Sequence, residues 1–303
     1  MNIFSRAGIP LLFFLFIIVF SASLKAKIPD VESFHEKSFL ALYNFRFDKA
    51  DSLIGHMHLH YPQHFLTYLS KANFFWWKMI SQKHDPLVLK EYYKSLEKAE
   101  DLLISGYQRD NNRAFIDYHL ANIYALRVRI ELMNGNYLKS FNYLRKYSHL
   151  IPSLLEEDDQ IPGALVAMGV YNYLSDYGKK RYPVFSLYAY MFPPGDMQKG
   201  IEQLKNASKM KNKLVLTDAN YFLMKIFFEL DHNLPEAYIH ASRLLEMYPN
   251  NLIFLYEHFK IVEKLEDELL VDLVKRKFEN ALASNDQLSV QQKEYLENLL
   301  NKF

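Results

Sequence analysis

The sequence predicts an all-α fold, an α-solenoid of about six antiparallel helix pairs ended by a capping helix. Three observations predict it. In 303 residues there are only 9 glycines and 11 prolines while half the chain is hydrophobic, which suits long helices joined by short turns. One spacing pattern recurs along the chain. Each copy of that pattern follows a long apolar-rich stretch able to form the first helix of a pair.

The chain opens MNIFSRAGIPLLFFLFIIVFSASLKAK. Arg6 precedes an apolar run from Ile9 to Phe20, and Ser21-Ala22-Ser23 and Leu24-Lys25-Ala26 supply small residues for cleavage. This is the three-part plan of a secretory signal over residues 1–26. The competing reading is an uncleaved anchor in the inner membrane, since no charge lies between Arg6 and Lys25. Cleavage is favoured because the small residues stand where a peptidase needs them. Loss of Arg6 and Lys25 takes the basic count from 36 to 34, against 35 acidic residues. No later segment reads as a membrane span. Residues 27–303 are therefore expected to form one helical-repeat domain in the periplasm or cell envelope.

The recurring pattern occupies Phe45–Pro62, Gly135–Pro152, Gly195–Asn212 and His232–Pro249. Each copy starts at a turn residue or its substitute. An apolar residue follows two positions later (Phe47, Tyr137, Met197, Leu234), and a small one three further on (Ala50, Ser140, Gly200, Ala237). Twelve residues beyond the small one, the helix is expected to stop at Pro62, Pro152, Asn212 or Pro249. The small residue lets two helices approach closely. Two more pairs are expected, His64–Ser81 with Leu87–Ile104 and Asn251–Leu265 with Leu269–Ala283. Ser289–Phe303 would cap the stack. These features resemble the second half of the tetratricopeptide repeat, over nearly all of the chain after residue 26. The resemblance implies a curved ladder whose concave surface is lined by first helices. It also implies a non-enzymatic scaffold holding a protein or peptide partner in that groove.

One region departs from the pattern. Ala164–Ser175 reads as a first helix, but Asp176–Pro194 intervenes before Gly195-Asp196 restarts the repeat. Solenoid insertions fall on one face, often the binding one. Within it Pro183 can start a short helix, Val184–Phe192, which Pro193-Pro194 ends. That helix is nearly all apolar and needs a cover. A plug tucked into the groove is the first expectation, since it requires no partner. A docked protein is the second, with Arg181, Tyr182, Tyr188 and Tyr190 as anchors of the usual interface type. A bilayer surface is the third and not favoured, because Lys179, Lys180 and Arg181 are a weak electrostatic lure. The partner-binding candidates are Tyr171, Asn172, Tyr177, Lys179, Lys180, Arg181, Tyr182, Phe185, Tyr188 and Tyr190, with Trp77 from the aromatic run Phe74–Trp77. The order Gly-x-Tyr-x-Tyr from Gly169, an aromatic insert, then Gly-Asp-x-x-Lys-Gly from Gly195 looks similar to exported bacterial tetratricopeptide proteins of unassigned function.

Chemistry is mostly excluded. With no cysteine, disulfides, thiolate nucleophiles, cysteine-ligated metals and a lipidated N-terminal cysteine are ruled out. The balance of 36 basic and 35 acidic residues gives no field for nucleic acid. There is no phosphate-cradling glycine loop, no Gly-x-Ser-x-Gly elbow and no dinucleotide fingerprint. No catalytic residue, metal or cofactor is expected, and a helical-repeat enzyme without a recognisable motif is the remaining alternative. His56 and His60 share a helix face, but solvent-side histidines on an outer helix are the plainer reading. Glu156–Asp159 lacks the ligand alternation of a calcium loop. The sequon Asn206-Ala207-Ser208 lies in an expected helix near a packed face.

Overall fold

The structure, a computed structural model, describes residues 31–107, 113–155, 161–182 and 191–300. Thirteen helices run through them, with no strand among the described residues. α1 (Val31–Tyr43) packs with α2 (Phe47–His60), and α3 (Phe65–Ile80) with α4 (Pro86–Tyr107). α5 (Arg113–Met133) packs with α6 (Tyr137–Leu155), and α7 (Ala164–Arg181) with α8 (Met197–Ala207). α9 (Lys213–Lys225), extended by a π-helical turn Ile226–Leu230, packs with α10 (Leu234–Met247). α11 (Leu252–Lys264) packs with α12 (Glu268–Ser284), and α13 (Val290–Leu300) follows. Successive pairs touch through α1 and α3, α4 and α5, α6 and α7, α8 and α9, and α10 and α11, an order consistent with a helical repeat.

The same turn joins four of the pairs. Phe45 (φ 54°), Gly135 (φ 73°), His232 (φ 52°) and Glu266 (φ 57°) are left-handed, and each stands two residues before the next helix. The following amide reaches back to the preceding helix, Arg46 N to Ala41 O at 2.9 Å and Asn136 N to Glu131 O at 2.7 Å. That bond closes the helix end and satisfies an orphan carbonyl. In the fourth pattern segment the bond runs from Asn233 N to Phe227 O at 2.7 Å, one residue further back, because the π-helical turn adds a residue. Past the turns, Asp196, Asn212, Asn233, Asn251 and Asp267 accept amides of the helices they precede, the usual side-chain cap.

The small residues sit at close approaches. Ala50, Ser140, Gly200 and Ala237 are all buried. A Cβ on Gly200 would lie 2.6 Å from both Gly169 O and Tyr173 N, so α7 and α8 meet backbone to backbone. A Cβ on Gly195 would lie 2.5 Å from Asn172 O. The glycines of the Gly-x-Tyr and Gly-Asp motifs are therefore packing residues.

Two helix ends differ from expectation. α7 does not stop at Ser175 but continues to Arg181. Gly178 is accommodated within the helix and no proline precedes Pro183, an Asp176–Lys180 pair at 2.7 Å spans one turn, and the cations of the last turn suit the negative helix end. α6 runs through Pro152 to Leu155, tolerating the amide that proline lacks. The expected helix Val184–Phe192 falls mostly outside the described residues, as does Glu156–Asp159.

The first and last pairs meet. α1 packs on α9 as well as on α3. The Tyr43 ring contacts Trp77, Tyr248 and Phe254, at centroid distances of 5.7, 5.2 and 6.3 Å. Its hydroxyl donates to Asp218 Oδ1 at 2.8 Å, and Asn251 Nδ2 donates to its carbonyl at 2.8 Å. Asn285 Nδ2 donates to Phe45 O at 3.4 Å, and Asp48 N donates to Gln287 Oε1 at 3.3 Å. Gln292 forms a capping box with Ser289 and also donates to Ser81 Oγ at 3.1 Å. The resemblance implies a concave surface lined by first helices; among those helices α1 touches α3 and α9, and α7 touches α5 and α9. On α5, 16 of 21 residues are buried, among them Arg127, Arg129 and Glu131.

Candidate functional site

α7 has 18 residues and its partner α8 only 11, so the last turns of α7 form a ledge beyond the pair. Asp176 fixes the ledge to its neighbour. It accepts from Lys180 Nζ at 2.7 Å and from Met197 N, at the start of α8, at 3.2 Å. Burial acts to raise the Asp176 pKa, and the Lys180 and Met197 bonds outweigh it to leave the carboxyl below its ordinary value. Lys179, Lys180 and Arg181 are exposed, and Tyr177 and Tyr182 are half-buried beside them. The Tyr177 ring stacks on Tyr173 at 5.9 Å, and the Tyr173 hydroxyl donates to Asp231. Below the ledge the helix is locked. Tyr171 Oη donates to Pro193 O at 2.6 Å, and Asn172 Nδ2 donates to Gln203 Oε1 at 2.7 Å. Phe192 packs edge-on against Phe141 of α6 at 5.6 Å.

The candidates therefore divide. Tyr177, Lys179, Lys180, Arg181 and Tyr182 share the ledge. Tyr171 and Asn172 are buried supports on the same helix. Trp77 is remote, 3% exposed, and enclosed by Tyr43, Phe45 and Phe254. Phe185, Tyr188 and Tyr190 lie outside the described residues.

Two other places carry charge. Lys225 on α9 donates to Glu229 on the π-helical turn and lies 3.3 Å from Glu257 on α11, which lies 2.7 Å from Lys260. Burial acts to lower the Lys225 pKa, but Glu257, Tyr221 and Glu229 outweigh it and raise it. Burial raises the Glu229 carboxyl, whereas Lys225 and Lys260 overcome burial at Glu257 and lower it. The side chains of Lys225, Glu229 and Glu257 are 3, 7 and 10% exposed, so the group ties α9 to α11 and offers solutes little access. Between α2, α3 and α4 a cleft of about 510 Å³ is lined by His58, Tyr68, Lys71, Lys94, Ser95, Glu97, Lys98 and Asp101. Its cations and carboxylates alternate, and Lys71 is already paired with Glu91 at 3.3 Å.

Comparison with protein-family models, with curated proteins and with solved structures finds no match. The reading of the site rests on its geometry. Among the described residues no group of three or more His, Cys, Asp or Glu side chains is arranged for a metal ion, and no helix is long and apolar enough to cross a membrane. The His56 and His60 rings lie 4.2 Å apart with their planes tilted by 39°, on an exposed face. Ala207 and Ser208 of the sequon are buried.

Sequence reasoning missed the buried ionic group and the contacts that join the two ends. A signal for the first was present. Lys225 stands alone in the apolar run Tyr221–Phe228, where a cation demands a buried partner. Nothing local marked Asn251 as more than a helix cap.

Proposed function

We propose that this chain is an exported, non-catalytic, tetratricopeptide-like scaffold that docks an acidic protein or peptide segment on the ledge at the end of α7. The overshoot of α7 beyond α8 carries this reading. It places three exposed cations and two half-buried tyrosines on a support fixed by Asp176, Tyr171 and Asn172. Arginine and tyrosine anchors on a rigid element suit protein recognition, and the cations favour carboxylates in the partner. The mutual burial of the first helices favours this outer ledge over the inner groove. Export rests on residues 1–26 and is checked by the mass of the protein recovered outside the cytoplasm.

The test compares the intact protein with Lys179→Glu/Lys180→Glu/Arg181→Glu in a crosslinking pull-down from the native envelope. A partner captured by the first and lost from the second, with unchanged thermal melting, supports the ledge. Capture of the same partners by both proteins contradicts it.

A further inference from the structure

The last turns of α2 carry two imidazoles on one exposed face. His56 and His60 are four residues apart, so both project from the same side of the helix. Their rings lie 4.2 Å apart. Phe34 of α1 stacks on His56 at 4.2 Å with an angle of 29° between the planes, backing that ring. Neither His56 nor His60 has a hydrogen-bond or ion-pair partner among the described residues, so their nitrogens are open to solutes. The neighbouring histidines are turned to other uses. His58 meets the Tyr68 ring at 5.9 Å and lines the cleft on α3 and α4. His64, beyond the end of α2, accepts from Leu66 N as the cap of α3.

Two imidazoles held side by side chelate a divalent transition metal ion. Nitrogens bound at right angles on one metal, at about 2.0–2.1 Å each, lie roughly 3 Å apart. Rings with centres 4.2 Å apart reach that separation by small side-chain rotations. No third His, Asp or Glu joins the pair among the described residues, so water completes the coordination. A donor set of two nitrogens and water, without thiolate, ranks Cu2+ above Ni2+ and Zn2+ and offers little to Mg2+ or Ca2+, which prefer oxygen ligands. His60 is the last residue of α2, where the helix dipole favours a cation. The pairing exists only while α2 is helical, so the ion clamps the end of that helix. We infer that His56 and His60 form a surface site for a divalent transition metal ion, Cu2+ foremost. The inference is independent of the ledge.

Titration of the untagged protein with Cu2+ against glycine as competitor, read by electron paramagnetic resonance, tests it. One Cu2+ per chain is expected in the tightest site, with two imidazole nitrogens bound. Loss of even an outer-shell partner costs a metal site about 10–100-fold, so His56→Asn and His60→Asn should each weaken binding roughly tenfold or more. His58→Asn should leave it unchanged. All three positions are exposed, and unchanged melting of the metal-free variants shows that the fold is intact. Wild type that binds Cu2+ no more tightly than His56→Asn/His60→Asn overturns the inference. An equal loss in His58→Asn, or a spectrum with a single bound nitrogen, overturns it as well.

Discussion

Replacing Asn251 by serine perturbs the closure with little else. Asn251 is fully buried and has two jobs. Its Oδ1 accepts from Ile253 N and Phe254 N at 3.0 Å each, capping α11. Its Nδ2 donates 2.8 Å to Tyr43 O, 208 residues away in sequence. Serine is about as good a cap as asparagine, so Asn251→Ser keeps the first job and loses the second. A buried carbonyl left without its donor costs roughly 1–3 kcal/mol, and the small void left beside it adds to the loss. Asn251→Ala also loses the cap, worth about 1 kcal/mol more, so the two variants should fall in the order wild type, Ser, Ala. Urea unfolding followed by circular dichroism measures both as shifts of midpoint at unchanged slope. A serine variant within about 0.5 kcal/mol of wild type would refute the claim that this contact holds the two ends together.

Three further predictions concern separate parts of the chain. Gly200→Ala drives a methyl into Gly169 O and Tyr173 N at 2.6 Å, so it should lower thermal stability by several kcal/mol, on the order of the larger overpacking losses, or prevent folding. Glu266→Gly relieves a left-handed non-glycine residue at an exposed turn and should stabilise by about 0.5–1 kcal/mol, seen as a raised urea midpoint; a lowered midpoint contradicts the shared turn geometry. Burial holds His35 at about 3 and His64, His240 and His258 at about 4 in the folded chain, whereas unfolded histidines titrate near 6.5. The unfolded state binds these protons first, so the contribution is complete above about pH 6.5 and is lost as pH falls through about 4. Urea midpoints should fall steadily over that window, and a flat profile there contradicts the buried neutral histidines.

Much of the helical order was legible locally. The boundaries of α3, α4, α11 and α12 fall within a few residues of their expected places, because proline stops and short turn segments act over a few bonds. The small residues Ala50, Ser140, Gly200 and Ala237 marked close helix packing for the same reason. The shared turn was only partly visible. Gly135 announces a left-handed position, but Phe45, His232 and Glu266 hold the same conformation without a glycine, under the constraint of the flanking helices. The continuation of α7 was obscured by Gly178 and by the aromatic composition around it. The ledge depends on that continuation, so its cations could be named from sequence while its geometry could not. The closure was beyond local reading. Tyr43 and Asp218 are 175 residues apart, and no spacing rule connects them.

The central claim is that the first pair packs on the last pairs. The chain has no cysteine, so two can be placed without interference. Asp48→Cys/Gln287→Cys sits on either side of the contact in which Asp48 N donates to Gln287 Oε1 at 3.3 Å. Treatment of the native protein with a short thiol-reactive crosslinker, read by intact mass and peptide mapping, tests the claim directly. The account predicts rapid conversion to an intramolecular 48–287 product that is lost in denaturant and absent from either single variant. Native protein that takes up the reagent separately at each thiol, with no 48–287 link, contradicts it.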